Sequence, residues 1–476
     1  MLWIALLLLG GTIGAVLLQV ARGRLDCLSV PVVAAGVFSF LYLWMPIWAR
    51  IEGQLFNFVG ESDAAWAAGF AGLALGALWF GWAIATWPRH NYSLRNATTV
   101  RCARRWTCHR LYNGGLVLVC LGFCLWLVFL GMSGGLSHYY SGVHGSHGAW
   151  TSTTAWIYNG LGYVYPGLCL MIVALLRGVR GPRYGVVGVV VVAGLMFCHS
   201  LLTGGRGPFF TTTVTVGSSI LLASRKRPKF HTVLAAGVVL GLCIAALVTF
   251  RSALHLGTNA EEFKSIGYVG VLGYLDDVTN LSYDSVGHEF IYHTGTIRTV
   301  DRLGSCGWGK RYLLYLIVHP IPRILWPAKP YVFETGSVTS DDIASIMGWQ
   351  VATGAAVGLV ADWYREWGAF SLLAWFLLGA VFARLYETAV QPNATPLAIL
   401  VYVLVISQSL YLFAQGFLPF VESFLIRGLG SYLVWLAYIS ASDKADLARQ
   451  RSWLRGAGAI QAKRSHMNEA ATFPNA

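Results

Sequence analysis

Charge is scarce in this chain of 476 residues: Asp, Glu, Lys and Arg make up 12% of it, against 56% for the hydrophobic types. A soluble domain carries about 25% charged residues, so a wetted surface and disorder are both excluded. Strict alternation is missing too. Blocks such as 64–83, rich in Ala, Gly and Leu, have no period of two, which excludes a transmembrane β-barrel. Nine cysteines in a chain this long give no disulfide framework. Cys120, Cys124, Cys169, Cys198 and Cys243 sit in apolar runs, where a free thiol behaves as a small hydrophobe. Cys102, Cys108 and His109 share one basic stretch but have no fourth ligand nearby, so no metal site is read there. There is no internal repeat, and the first apolar run has no basic segment before it and no small-residue cleavage site after it. It is therefore expected to be a retained helix.

What the chain does have is hydrophobic runs of roughly 17–25 residues, the length that crosses a bilayer as a helix. These predict an all-α polytopic integral membrane protein with about eleven spans: 2–21, 28–49, 64–87, 111–132, 153–176, 185–203, 208–223, 232–250, 367–386, 396–415 and 425–441. Sidedness follows from the basic residues. With the segments after spans one, three, five, seven, nine and eleven in the cytoplasm, 22 of the 34 Lys and Arg lie inside and four lie in short outer segments. The long stretch 251–350 does not count, because long loops translocate whatever their charge. Of the 21 Asp and Glu, sixteen fall outside. The net charge of +13 is thus explained by topology and calls for no nucleic-acid partner. The expected protein is a single membrane domain over 1–476, with its N-terminus outside. A large outer loop at 251–350 contains short helices, one of them around Leu313 to Val318 and stopped by Pro320 and Pro322. A basic tail at 441–476 lies inside.

Charges at a membrane edge are expensive and mark candidate sites. Four groups collect on the outer side. The turn Thr203-Gly204-Gly205-Arg206-Gly207-Pro208 presents Arg206, and Arg251 follows the eighth span. The strap from His319 to Pro330 has prolines at 320, 322, 327 and 330, which stiffen it and hold Arg323 and Lys329 in place. The segment Gly358 to Gly368 carries Asp362 and Glu366 one helical turn apart, with Trp363, Tyr364, Arg365 and Trp367 around them. Glu422 and Arg427 flank the outer end of the last span and add less. Each group also has a plain reading, as a flexible turn, a helix-end anchor, a structural strap or an interfacial charge cluster. Together they offer several cations and a carboxylate pair at the depth of a lipid headgroup. Arg suits phosphate by its planar fork and permanent charge.

At Thr203–Pro208, Ile321–Pro330 and Gly358–Gly368 the chain resembles the O-antigen polymerases, or oligosaccharide repeat unit polymerases. Asp362 stands where that family usually has Glu. The resemblance implies a lipid-diphosphate-dependent, multi-span glycosyltransferase of the bacterial inner membrane. It would transfer a growing glycan from undecaprenyl diphosphate to a sugar hydroxyl of the next lipid-linked repeat unit. It further implies no cofactor and no metal, in keeping with the lack of an Asp-x-Asp motif in the outer segments. Membrane lipid and a chain-length regulator would be partners. Asp362 is then the first choice for the base, with Glu366 and His319 in reserve. Arg206, Arg251, Arg323, Lys329, Arg365 and Tyr364 would bind the diphosphate. The competing assignments are an O-antigen ligase, a flippase for the same lipid, and a scaffold. The near absence of mid-span charge weighs against a flippase.

Overall fold

The computed structural model describes all residues except 24, 52, 54, 87–107, 137–138, 140–156, 178–181, 204–205, 225–231, 233–234, 240, 244–288, 319–320, 322–325, 327–337, 352–355, 392–393 and 437–476. It is a helical bundle. Among the described residues nine helical stretches are long and apolar enough to cross a membrane. The first six are α1 (Leu2–Ala21), α2 (Val30–Ile51), α3 (Glu61–Thr86), α4 (Cys108–Met132), α5 (Ile157–Arg177) and α6 (Gly185–Leu202). After them come α7 (Arg206–Ser224), α8 (Glu289–Leu303), α9 (Lys310–Val318) and α10 (Ser340–Met347). The seventh crossing is the run Gly358–Val390, made of α11 (Gly358–Trp367) and α12 (Ser371–Val390). The last two are α13 (Pro396–Gln415) and α14 (Phe417–Val434).

Small residues set the tightest crossings. A Cβ on Gly81 would strike the Phe376 carbonyl, and one on Gly379 would strike that of Leu78, so α3 and α12 meet backbone to backbone. Gly115 and Gly167 do the same for α4 and α5: a Cβ on either would lie 2.6 Å from the other's carbonyl oxygen. This is how helices associate where lipid removes the hydrophobic drive between them.

Three expectations from the sequence need adjustment, and a fourth is not covered. Span 208–223 is a helix, α7, but it is not among the nine: Thr211, Thr212, Thr215, Ser218 and Ser219 lower its hydropathy and are buried against neighbouring helices, chiefly α5 and α13. Span 232–250 lies largely outside the described residues. The ninth span begins at Gly358, and a break at Gly368 (φ +55°) separates α11 from α12. The last span starts at Phe417, eight residues earlier than expected, so Glu422 and Arg427 stand within α14 and do not flank its end. Tyr315 and Asn159 take up Glu422, and Arg427 is set among aromatic rings, as described below.

Segments that share a side by the basic-residue count meet at one end of the bundle. Tyr386 Oη donates to Asp26 at 2.6 Å, and Arg177 donates to the carbonyls of Leu222, Ala223 and Ala394 at 3.0, 3.2 and 3.0 Å. At the other end the Met1 ammonium pairs with Glu61 at 3.3 Å, Arg298 pairs with Asp63 at 3.5 Å, and Trp349 Nε1 donates to the Phe58 carbonyl at 3.0 Å.

Within 251–350 the described residues form α8, α9 and α10. Helix α9 covers the short helix expected around Leu313 to Val318, and the prolines expected to stop it, Pro320 and Pro322, lie outside the described residues. Helix α8 is polar in composition yet buried from Phe290 to Ile297. Its threonines satisfy themselves: Thr294, Thr296 and Thr299 donate to carbonyls one turn back at 2.8–2.9 Å.

Candidate functional site

Helix α9 is inverted relative to a soluble helix. Arg311, Tyr312, Tyr315 and Val318 point inward, while Leu313, Leu316 and Ile317 are exposed. The inward face meets α11, where Asp362 is 2% and Glu366 0% exposed. Arg311 bridges the two carboxylates. Its Nη2 is paired with Asp362 Oδ1, and its Nε lies 3.2 Å from Glu366 Oε1. Arg365 Nη2 adds a second cation to Asp362 Oδ1 at 3.0 Å. Tyr312 Oη and the Phe417 amide donate to Asp362 Oδ2 at 2.8 and 3.0 Å. The Gly309 amide donates to Glu366 Oε2 at 3.0 Å, and the amides of Gly307 and Trp308 donate to the carbonyls of Arg365 and Glu366 at 3.1 and 2.7 Å. Burial opposes the charge on Arg311, but Asp362 and then Glu366 hold its pKa above the ordinary value. Burial, reinforced by Asp362, keeps the Tyr312 phenol protonated.

This clasp locks three elements together. Gly416, between α13 and α14, has φ +107°, and a Cβ there would lie 3.0 Å from Asp362 Oδ2. Glycine supplies both the conformation and the room for α14 to start against the carboxylate. The two carboxylates thus balance two guanidinium groups, with backbone and phenol donors completing the coordination. Breaking a buried pair from one side costs about 3–5 kcal/mol.

Further along α9 and α14 the arrangement changes. Tyr315 Oη donates to Glu422 Oε2 at 2.6 Å, and Asn159 Nδ2 donates to Glu422 Oε1 at 3.1 Å. Burial and Glu422 push the Tyr315 phenol up, so it acts as a donor. Asn159, Glu422, Ser423 and Arg427 line a cavity of about 20 Å³, roughly the space of one water. The Arg427 guanidinium lies 4.8 Å from the Tyr165 ring centroid, within electrostatic reach of Tyr158 and Tyr411. Its Nη1 is buried and has no hydrogen-bond partner among the described residues. A Cβ on Gly162 would lie 2.8 Å from Arg427 Nε, and one on Gly207 would overlap the Tyr411 hydroxyl. The N-terminal end of α5 with Asn159 and Gly162, the start of α7 at Gly207 through Tyr411, Tyr315 of α9, and α14 therefore converge on Glu422 and Arg427.

Of the residues singled out by sequence, Asp362, Glu366 and Arg365 come together in the clasp. Tyr364 turns to α8 and donates to Asp301 at 2.6 Å. Arg206 is the first residue of α7. Arg251, His319, Arg323 and Lys329, together with Cys102, lie outside the described residues. Arg311, Tyr312, Tyr315, Asn159 and Tyr411 were not singled out. The first three had a legible signal: in Lys310-Arg311-Tyr312-Leu313-Leu314-Tyr315 the polar groups share one helical face and the leucines take the other. Among the described residues no group of His, Cys, Asp and Glu is arranged to hold a metal ion. Comparison with family models, curated proteins and solved structures gives no match to this chain.

Proposed function

We propose that the protein is a glycosyltransferase of the O-antigen polymerase type, working on a lipid-linked diphosphate that enters the bundle from the outer face of the membrane. Arg427 supports this reading most: it is a cation with a buried nitrogen that has no hydrogen-bond partner among the described residues, and Gly162 of α5, Tyr411 of α13 and the Glu422–Tyr315 pair gather around it. A diphosphate oxygen is the partner such a guanidinium lacks. The family resemblance adds Arg206 and Arg323 as further cations for the diphosphate. As the glycosidic C–O bond to the diphosphate breaks, these cations stabilise the departing oxygens, and the anomeric carbon bonds to the acceptor hydroxyl.

The acceptor's proton goes to a carboxylate. Asp362 fills the family's acidic position, but it already accepts from Arg311, Arg365, Tyr312 and the Phe417 amide. That coordination suits positioning. Glu422 lines the small cavity beside Arg427 and is the carboxylate we assign to the proton.

The test is the lipid-linked glycan of a deletion strain carrying plasmid-borne variants. Wild type should restore long chains, and Glu422→Gln should leave single repeat units. Accumulation of full-length unligated chains in the deletion strain would point to a ligase and sink this reading. Sidedness is tested by reporter fusions after Val100 and Val300, which should report opposite compartments.

A further inference from the structure

A second cavity, of about 290 Å³, opens between α4, α5 and α6. Phe123 and Trp126 line it from α4, Leu161 from α5, and Leu195, Cys198 and His199 from α6. Its wall is apolar except for the one imidazole. It is separated from Arg427 by a single 3-10 turn, Gly160–Tyr163. On one side of that turn Leu161 faces the cavity, and on the other Gly162 lies against the Arg427 guanidinium. A chain of rings makes the same connection. Trp126 packs edge-on to His199 at 5.6 Å, His199 stacks with Tyr139 at 6.4 Å, and Tyr139 meets Tyr158 at 6.4 Å. Tyr158 lies within electrostatic reach of Arg427.

We infer that this cavity holds the phosphate-proximal isoprene units of a polyprenyl carrier whose phosphate is bound by Arg427, an inference that rests on the lipid-diphosphate reading above. Charge complementarity selects the occupant. Arg427 stands about ten residues, roughly 15 Å, along α14 from Phe417. The headgroup of an ordinary phospholipid stays at the membrane surface. A lipid that delivers an anion to a cation inside the bundle needs apolar surface close to that cation, and this cavity lies one 3-10 turn away from it. Its aromatic lining suits methyl-branched, unsaturated units better than it suits a polar glycan.

The test uses the full-length protein in detergent micelles and a polyprenyl phosphate with a diazirine on its first isoprene units. The comparison probe is a phosphatidylglycerol with the diazirine on an acyl chain. The polyprenyl probe should label peptides containing 123–127 and 195–202, and excess unlabelled polyprenyl phosphate should compete. Leu195→Trp fills the cavity from an exposed position and should cut this labelling by about tenfold with the melting temperature unchanged. Cys198→Phe is the second filling variant, should Leu195→Trp lower expression. Labelling by phosphatidylglycerol to the same extent, or labelling indifferent to competitor and to both variants, would overturn the inference in favour of general lipid contact. Binding is read here without turnover. A protein that labels in this cavity but makes no long glycan keeps the cavity's assignment and fails the polymerase reading. A polymerising protein whose filled variants label like wild type fails the cavity's assignment alone.

Discussion

The clasp around Asp362 and the setting of Arg427 lie on the same helices, α9 and α14 with their neighbours, yet they treat charge in opposite ways. In the clasp, Arg311 and Arg365 face Asp362 and Glu366, and backbone amides and Tyr312 complete the coordination. Around Arg427 are aromatic rings, a glycine and a cavity, and one guanidinium nitrogen is left without a partner among the described residues. A closed network has no capacity left for a ligand. An open cation in a low-dielectric setting gains the most when an anion arrives. Charged residues near a membrane edge therefore have to be sorted by whether their partners lie within the protein, because the sequence motif marks both kinds alike.

The comparison can be broken at several points. The largest effect is expected at Glu422. Glu422→Gln keeps the shape and an acceptor for Tyr315 but removes basicity, so chain synthesis should fall roughly 10²- to 10⁴-fold, with protein level and melting temperature near wild type. Arg311→Met attacks the closed side. It leaves two buried carboxylates short of a cation, and thermal or denaturant unfolding in detergent should register a loss of about 3–5 kcal/mol. Protein recovered from that variant should still polymerise. A smaller, graded effect belongs to pH. His293, fully buried on α8 and 4.8 Å from Tyr42, is pushed down by burial from 6.5 to about 3. Between those values the unfolded chain binds the proton and the folded chain does not. His293 therefore contributes stability that is fully present above pH 6.5 and is lost as pH falls toward 3. The slope should be about 1.4 kcal/mol per pH unit, and His293→Gln should flatten it.

Much of this architecture is legible in the sequence. Seven of the nine crossings found among the described residues follow the apolar runs closely, because a run of this length and composition has no other stable arrangement. The last span was misplaced because Glu422 and Arg427 argue against a membrane helix until Tyr315, Asn159 and Tyr165 are seen beside them. Helix α7 reads as a weak span for the related reason that its threonines and serines serve packing inside the bundle. The acidic pair at 362 and 366 was recognisable as special, and its i,i+4 spacing predicts a shared face. That the pair would be closed by Arg311, some fifty residues away in sequence, depends on tertiary placement alone. Local spacing cannot distinguish a satisfied carboxylate from one awaiting a substrate.

The most direct measurement compares Arg427→Met with Arg311→Met in two assays on each protein, the melting temperature in detergent and the lipid-linked glycan of the complemented strain. Removing a buried cation that lacks a full set of partners is neutral or stabilising, whereas removing one from a closed network is not. The account predicts that Arg427→Met melts at or above the wild-type temperature and accumulates single repeat units. The lost charge-assisted contact of about 2–3 kcal/mol should slow transfer roughly 30- to 150-fold. Arg311→Met should melt lower and still make long chains. An Arg427→Met protein that makes wild-type chains, or that loses them only because it unfolds, would contradict the assignment of Arg427 as the cation that receives the diphosphate.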